Sequence, residues 1–159
     1  MTRKPSSGQC FSVYFYFLLV LLMLSNCSGP QPDDLGCNEG RLSPCPDSPN
    51  CVSSQSADKA HYIEPLTYRG TLTEARKALL SVIAQWPNTE IVQATDHYVR
   101  AEFTSRFFGF VDDVEFCMDD DLHAIHVRSS SRVGYYDFGV NRRRMERLRA
   151  KFAALRPED

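Results

Sequence analysis

The sequence predicts an α+β fold, a two-layer sandwich in which a mainly antiparallel sheet carries two helices on one face. Three observations predict it. Apolar residues recur at intervals of three and four in two segments, Leu72 to Trp86 and Met145 to Leu155. Between them, Glu90–Thr95, Tyr98–Ser105, Phe110–Met118 and Leu122–Arg132 alternate in the period-two manner of strands. Short polar turns, Asp96-His97 and Asp119-Asp120-Asp121, separate two of these pairs and suit antiparallel neighbours. The expected order is β-α-β-β-β-β-α over residues 60–159.

His61 to Tyr68 reads as the first strand. Thr71-Leu72-Thr73-Glu74 is a capping box, in which the threonine and glutamate side chains satisfy each other's backbone donors at a helix start. Leu72, Ala75, Leu79, Val82 and Trp86 share one face of that helix, and Pro87-Asn88 stops it. In the following hairpin Val92, Ala94, Val99, Ala101 and Phe103 take the core face. Pairing Asp119 with Leu122 in the next hairpin sets Phe116 opposite Ile125 and Val114 opposite Val127, with Glu115 facing His126 and Asp113 facing Arg128. Cross-strand ion pairs contribute only about 0.2–1 kcal/mol each, so the apolar pairs set this register, and a slip by two residues would preserve both faces. The last helix, Val140 to Leu155, carries a Met145, Leu148, Phe152 and Leu155 stripe with Arg142, Arg143, Arg147, Arg149 and Lys151 opposite. The sheet face away from the helices is expected to be open to water or a partner, and it holds Asp113, Glu115, His126, Arg128 and Arg132.

Arg3 and Lys4 precede an uncharged, proline-free run from Val13 to Leu24, the pattern of an export signal over residues 1–26. That run is 12 residues long, and a membrane span takes roughly 20. Leu24-Ser25-Asn26-Cys27 resembles the bacterial lipoprotein box, although Asn26 replaces the usual small residue before the acylated cysteine. Cys27 is therefore the expected lipidation site, ordinary cleavage nearby and an uncleaved apolar anchor being the alternatives. By the same resemblance, Ser28 in place of an acidic residue favours the outer membrane. Loss of Arg3 and Lys4 takes the formal charge from −2 to about −4, which provides no overall basic field for nucleic acid.

Residues 27–59 are rich in Pro, Gly, Ser, Asp and Asn and read as a tether, with Pro44, Pro46 and Pro49 stiffening a turn around Cys45 and Cys51. Export makes oxidation available. A Cys45–Cys51 loop would contribute about 2–3 kcal/mol by loop entropy. Cys37 competes for either thiol and Cys117 is the fourth, so three connectivities remain open. Five residues separate Cys45 from Cys51, whereas zinc sites place about two to four between paired ligands. No metal site is expected, and no cofactor is implied.

Arg142, Arg143 and Arg144 crowd a helix first turn, where the dipole disfavours each cation by about 0.3–1 kcal/mol. Compensation is expected internally from Asp137, Asp112 or Asp113, or externally from an anion held by arginine forks and helix amides. Arg128, Arg132, Arg142, Arg143 and Arg144 are accordingly the candidate ligand-binding residues. Asp113 and Glu115, two apart on one strand, with His126 across from them, form the best acid/base constellation. Tyr135, Tyr136 and Phe138 read as core beneath the helix start rather than as a contact patch.

CPDSPNCVSSQ (Cys45 to Gln55), FGFVDDVEF (Phe108 to Phe116) and VRSSSRVGYYDFGVNRRR (Val127 to Arg144) resemble the three signature blocks of a family, domain of unknown function 1499. The likeness runs from about Gly36 to Leu155. It implies bacterial relatives with lipoprotein signals or membrane anchors, and it implies neither a reaction nor functional residues. Two expectations follow. The first is a noncatalytic, periplasm-facing envelope lipoprotein that binds an envelope protein or anionic lipid through its arginines. The second is an envelope hydrolase or transferase using Asp113, Glu115 and His126.

Overall fold

The computed structural model describes residues 28–155, so the expected signal segment and Cys27 lie outside the described residues. In chain order these residues form β1 (Cys37–Asn38), β2 (Arg41–Leu42), β3 (Cys51–Ser53), β4 (Leu66–Thr67), α1 (Leu72–Ala84), β5 (Thr89–Ala94), β6 (Tyr98–Thr104), β7 (Val111–Asp119), β8 (Ala124–Ser131) and α2 (Val140–Ala154). The main sheet has six strands in the order β3-β8-β7-β6-β5, with β4 also on β8, and every paired strand is antiparallel. Both helices pack on one face around a core built from Leu79, Val82 and Ile83 of α1, Phe116, Ile125 and Val127 of the sheet, and Met145 and Leu148 of α2. Burying each such side chain contributes about 1.5–3 kcal/mol. The expected α+β two-layer sandwich is the observed fold.

α1 begins with the predicted capping box, in which Glu74 N donates to Thr71 Oγ1 and Thr71 N donates to the Glu74 carboxylate. Its apolar stripe also lands as expected, with Leu72 and Trp86 packed at the edge of the core.

Three local expectations are corrected. The strand expected over 61–68 shrinks to β4, which pairs with Ile125 and Ala124, while β3 pairs further along the same edge of β8, from Ser130 to Arg128. β3 comes from the segment read as a tether, and its Cys51, Val52 and Ser53 are all buried. A three-residue edge strand obtains its ladder bonds from the backbone and leaves no alternating pattern to read. In β5 Ile91, opposite Ala101, packs on the core while Val92 and Ala94 are exposed. The register shifts between Ile91 and Gln93, a bulge that brings Ala94 opposite Val99 without burying it.

The β7–β8 register differs by two residues from the expected one: Asp119 pairs with Ala124, Phe116 with Val127, Glu115 with Arg128 and Cys117 with His126. The turn is longer because Leu122 N donates to Asp119 Oδ1 (3.0 Å) and His123 adopts a positive φ of 50°. An even slip keeps each residue on its face.

The largest departure concerns the second sheet face. Eight consecutive residues of β7, Val111–Met118, are buried, so this strand is covered on both sides. Residues 28–43 form a strap over the side opposite the helices. Gln31 accepts from Arg100, Asp34 faces Arg128, Gly36 N donates to Glu115, and Cys37 is disulfide-bonded to Cys117. Beyond Cys37 the chain turns back through a two-residue hairpin, β1–β2, whose Glu39 and Gly40 both have positive φ. Leu42 then packs beside Tyr98 and Cys117.

Candidate functional site

Alternation along β7 sends Asp113, Glu115 and Cys117 beneath the strap and Asp112, Val114 and Phe116 toward the helices. Asp113 and Glu115 are 1% and 0% exposed, and carboxylates so deep in the protein persist only when paired. Arg132 donates to both Asp113 oxygens, at 2.7 and 2.9 Å, and also to Glu102. Arg100 donates to Asp113 at 3.0 Å and to Glu102 at 3.1 Å. Glu115 accepts from Arg128 (2.9 Å), the Tyr98 hydroxyl (2.7 Å) and Gly36 N (2.8 Å). The Asp113 hydrogen bonds raise the Arg132 pKa above its ordinary value. Burial, reinforced by the bond to Glu115, pushes the Tyr98 hydroxyl upward too. Among the described residues, Arg128 Nε is the buried side-chain atom without a hydrogen-bond partner.

His126 does not join these carboxylates. Its Nδ1 lies 3.2 Å from Ser54 Oγ and its Nε2 3.8 Å from Asp119 Oδ2. Asp113, Glu115 and His126 thus have separate partners, and both acids are saturated by cationic or hydroxyl donors. Such a set neutralises buried charge.

A second polar cluster lies at the start of α2. Arg144 donates to Asp112 and, at 2.6 Å, to Asn141 Oδ1, while its guanidinium sits 4.9 Å from the Phe103 ring centre. Asn141 is fully buried and bonds Ser129, Ser131, Asp137 and the Asn50 carbonyl. Asp137 accepts from Gly139 N and Asn141 N, both at 2.8 Å, placing a carboxylate at the positive helix end. This is the internal compensation expected for the arginine run. Arg142 donates to the Tyr62 and Ala60 carbonyls and Arg143 to the Phe138 carbonyl. The five arginines singled out as anion ligands are therefore all engaged by acceptors of the chain itself, Arg128, Arg132 and Arg144 in buried pairs.

Cys45 and Cys51 are disulfide-bonded, as expected, and the remaining pair is Cys37–Cys117. Beside the Cys45 loop a cavity of about 410 Å³ is lined by Arg41, Pro44, Asp47, Gln55, Asp58 and His61. Its histidine is committed, with Nδ1 2.9 Å from the Cys51 carbonyl and Nε2 3.8 Å from Asp58. Among the described residues no cluster of His, Cys, Asp and Glu is disposed to hold a metal ion, and no helix is long and apolar enough to cross a membrane.

The remaining candidate surface is aromatic. Loop 105–110 exposes Phe107, Phe108 and Phe110, and loop 132–139 exposes Tyr135, Tyr136 and Phe138. The expectation that the latter three pack in the core is overturned, because Asn141 and Met145 already fill the space under the helix start.

A family model for proteins of unknown function, DUF1499, matches residues 41–152. The chain belongs to this family. No curated protein is significantly similar to it. The DUF1499 match takes in the Cys45–Cys51 loop, the charged side chains of both buried clusters and both aromatic loops, while Cys37 and most of the strap, residues 28–40, precede it. The three segments that carry the DUF1499 resemblance meet in the second cluster, through Asn50, Asp112, Ser129 and Asn141. Sequence reading missed Arg100, Glu102, Tyr98 and Asn141. Strand parity alone puts the first three on the Asp113 face, whereas nothing local marks Asn141 as a buried hub.

Proposed function

We propose that this protein is a noncatalytic scaffold or binding domain of the bacterial cell envelope, facing the periplasm and held to a membrane, the outer one favoured, through an acylated Cys27. One observation carries the reading: the Cys37–Cys117 disulfide pins the strap over Asp113 and Glu115. A disulfide needs an oxidising compartment, which agrees with the export signal read at residues 1–26. The covered carboxylates are neutralised by arginines and withheld from substrate, which argues against acid/base catalysis. The domain's role then lies in its surface.

Mass spectrometry of the full chain recovered from bacterial membranes tests the anchor, with a diacyl or triacyl adduct on Cys27 as the expected result. An unmodified Cys27 in a soluble periplasmic fraction would remove it. Screening against lipid, glycan and phosphoester substrates tests the rest. Turnover that disappears in Asp113→Asn or Glu115→Gln, with folding intact, would replace the scaffold by the envelope hydrolase or transferase.

A further inference from the structure

The aromatic loops and Gly29, near the start of the described residues, share one end of the sheet. Thr104 pairs with Val111 and Asp112 with Ser131, so loops 105–110 and 132–139 leave adjacent strands side by side, tied by Arg132 N donating to the Val111 carbonyl at 3.1 Å. Phe107, Tyr135 and Phe138 are 87%, 73% and 76% exposed. Phe108 stacks on Phe110 at 5.6 Å, and Tyr136 meets Phe138 edge-on at 5.1 Å, so each loop presents a paired aromatic surface. Six exposed aromatics on two neighbouring loops exceed the scattered apolar residues of an ordinary protein surface.

Gly29 reaches the same place. A Cβ built on it would lie 2.7 Å from Val133 Cγ1 and 3.1 Å from Arg132 Cβ, so only glycine permits this approach. Gly29 lies two positions from Cys27, and Val133 two positions from Tyr135. Each step spans at most about 7 Å of chain. An acylated Cys27 would therefore hold the aromatic end, and not the opposite end, near the bilayer.

We infer that Phe107, Phe108, Phe110, Tyr135, Tyr136 and Phe138 seat in the interfacial layer of the membrane that holds the amino terminus. This rests on the anchoring reading above. Tyrosine is favoured at the headgroup level, where its ring meets hydrocarbon and its hydroxyl stays wet, and phenylalanine supplies the apolar surface that interfacial segments bury. Charge agrees with that occupant. Arg106 is exposed beside Phe107, ready to meet anionic headgroups. The one carboxylate in the two loops, Asp137, is consumed by the α2 amides. Inserted this way, the domain stands with its β7–β8 turn pointing away from the bilayer.

The full chain, reconstituted into vesicles of phosphatidylethanolamine and phosphatidylglycerol with brominated acyl chains, tests this. Phe108→Trp and Tyr136→Trp report on the tip, and Leu122→Trp, in the exposed β7–β8 turn, reports on the far end. Trp86, the native tryptophan, packs against the core and gives a background that the parent chain subtracts. Brominated lipid is expected to remove more than about half of the added fluorescence at 108 and 136 and little at 122, with iodide quenching in the reverse order. Flotation with the vesicles but equal iodide access at all three positions would overturn the tip contact and leave the anchor standing. Failure to float would remove both. Shielding from iodide without lipid quenching would assign the tip to a protein surface and overturn the membrane contact.

Discussion

Asp112 and Asp113 are consecutive on β7 yet serve opposite layers: Asp112 pairs with Arg144 of α2, and Asp113 pairs with Arg100 and Arg132 beneath the strap. Period-two geometry forces this division, and it makes β7 the strand on which both layers close. Asp112 has one arginine partner and Asp113 has two, with none shared between them.

Removing one member of a buried pair leaves the other charge unmatched. Asp112→Ala is expected to cost about 3–5 kcal/mol, measured by urea denaturation. The double variant Asp112→Ala with Arg144→Met should recover part of that loss, because the stranded guanidinium is gone. A double variant that is no more stable than Asp112→Ala would show that the cost does not come from the unpaired charge.

Asp113→Asn is expected to lower the melting temperature markedly, since two buried arginines are left sharing Glu102 as their carboxylate partner. Glu115→Gln should act similarly through Arg128, although Gly36 N and the Tyr98 hydroxyl can still donate to an amide oxygen. Calorimetry of the two variants therefore ranks Asp113→Asn as the more damaging. Equal melting temperatures for both variants and the parent would contradict the neutralising role.

The disulfides differ in the loops they close. Cys37–Cys117 spans 80 positions and Cys45–Cys51 spans 6, for which loop entropy gives about 4.5 and 2.4 kcal/mol. Paired Cys→Ser variants should lose stability in that order. Loss of the longer one should also raise hydrogen exchange at Gly36 N, whose bond to Glu115 depends on the strap staying down.

Alkali should weaken the fold through Tyr68 and Tyr98. Burial, together with the bond to Asp120, pushes Tyr68 up to about 12, and burial with the Glu115 bond raises Tyr98 further. Unfolded tyrosine ionises near the ordinary 10.0. Above that pH the unfolded chain releases protons that the native chain retains, so stability falls as pH rises from about 10 through 12. Ultraviolet titration should show Tyr68 and Tyr98 ionising together with unfolding, and Tyr98→Phe should flatten the decline. A tyrosinate signal that rises fully before unfolding would contradict it.

Short-range chemistry was legible in the chain. Thr71 and Glu74 form their capping box, and the stripes of α1 and α2 face the core, although Leu155 ends exposed. These features depend on residues three or four apart, and local sequence carries that information. The β7–β8 hairpin was legible in its faces but not its register, because two registers two residues apart bury the same side chains and only the turn chooses between them.

Residues distant in the chain settled the rest. From alternation alone, Asp113, Glu115 and Arg128 are indistinguishable from a solvated sheet face, and they are buried only because residues 28–43 return across it and Cys37 joins Cys117. Tyr135, Tyr136 and Phe138 have the composition of a core and are exposed because the space beneath α2 is already taken by Asn141 and Met145. Periodicity thus determined the α+β layers, whose hydrophobic faces are written into each element by itself. Which polar residues lie buried and which aromatics lie outside depended on contacts across about 80 positions of chain, where burial is decided by what else arrives.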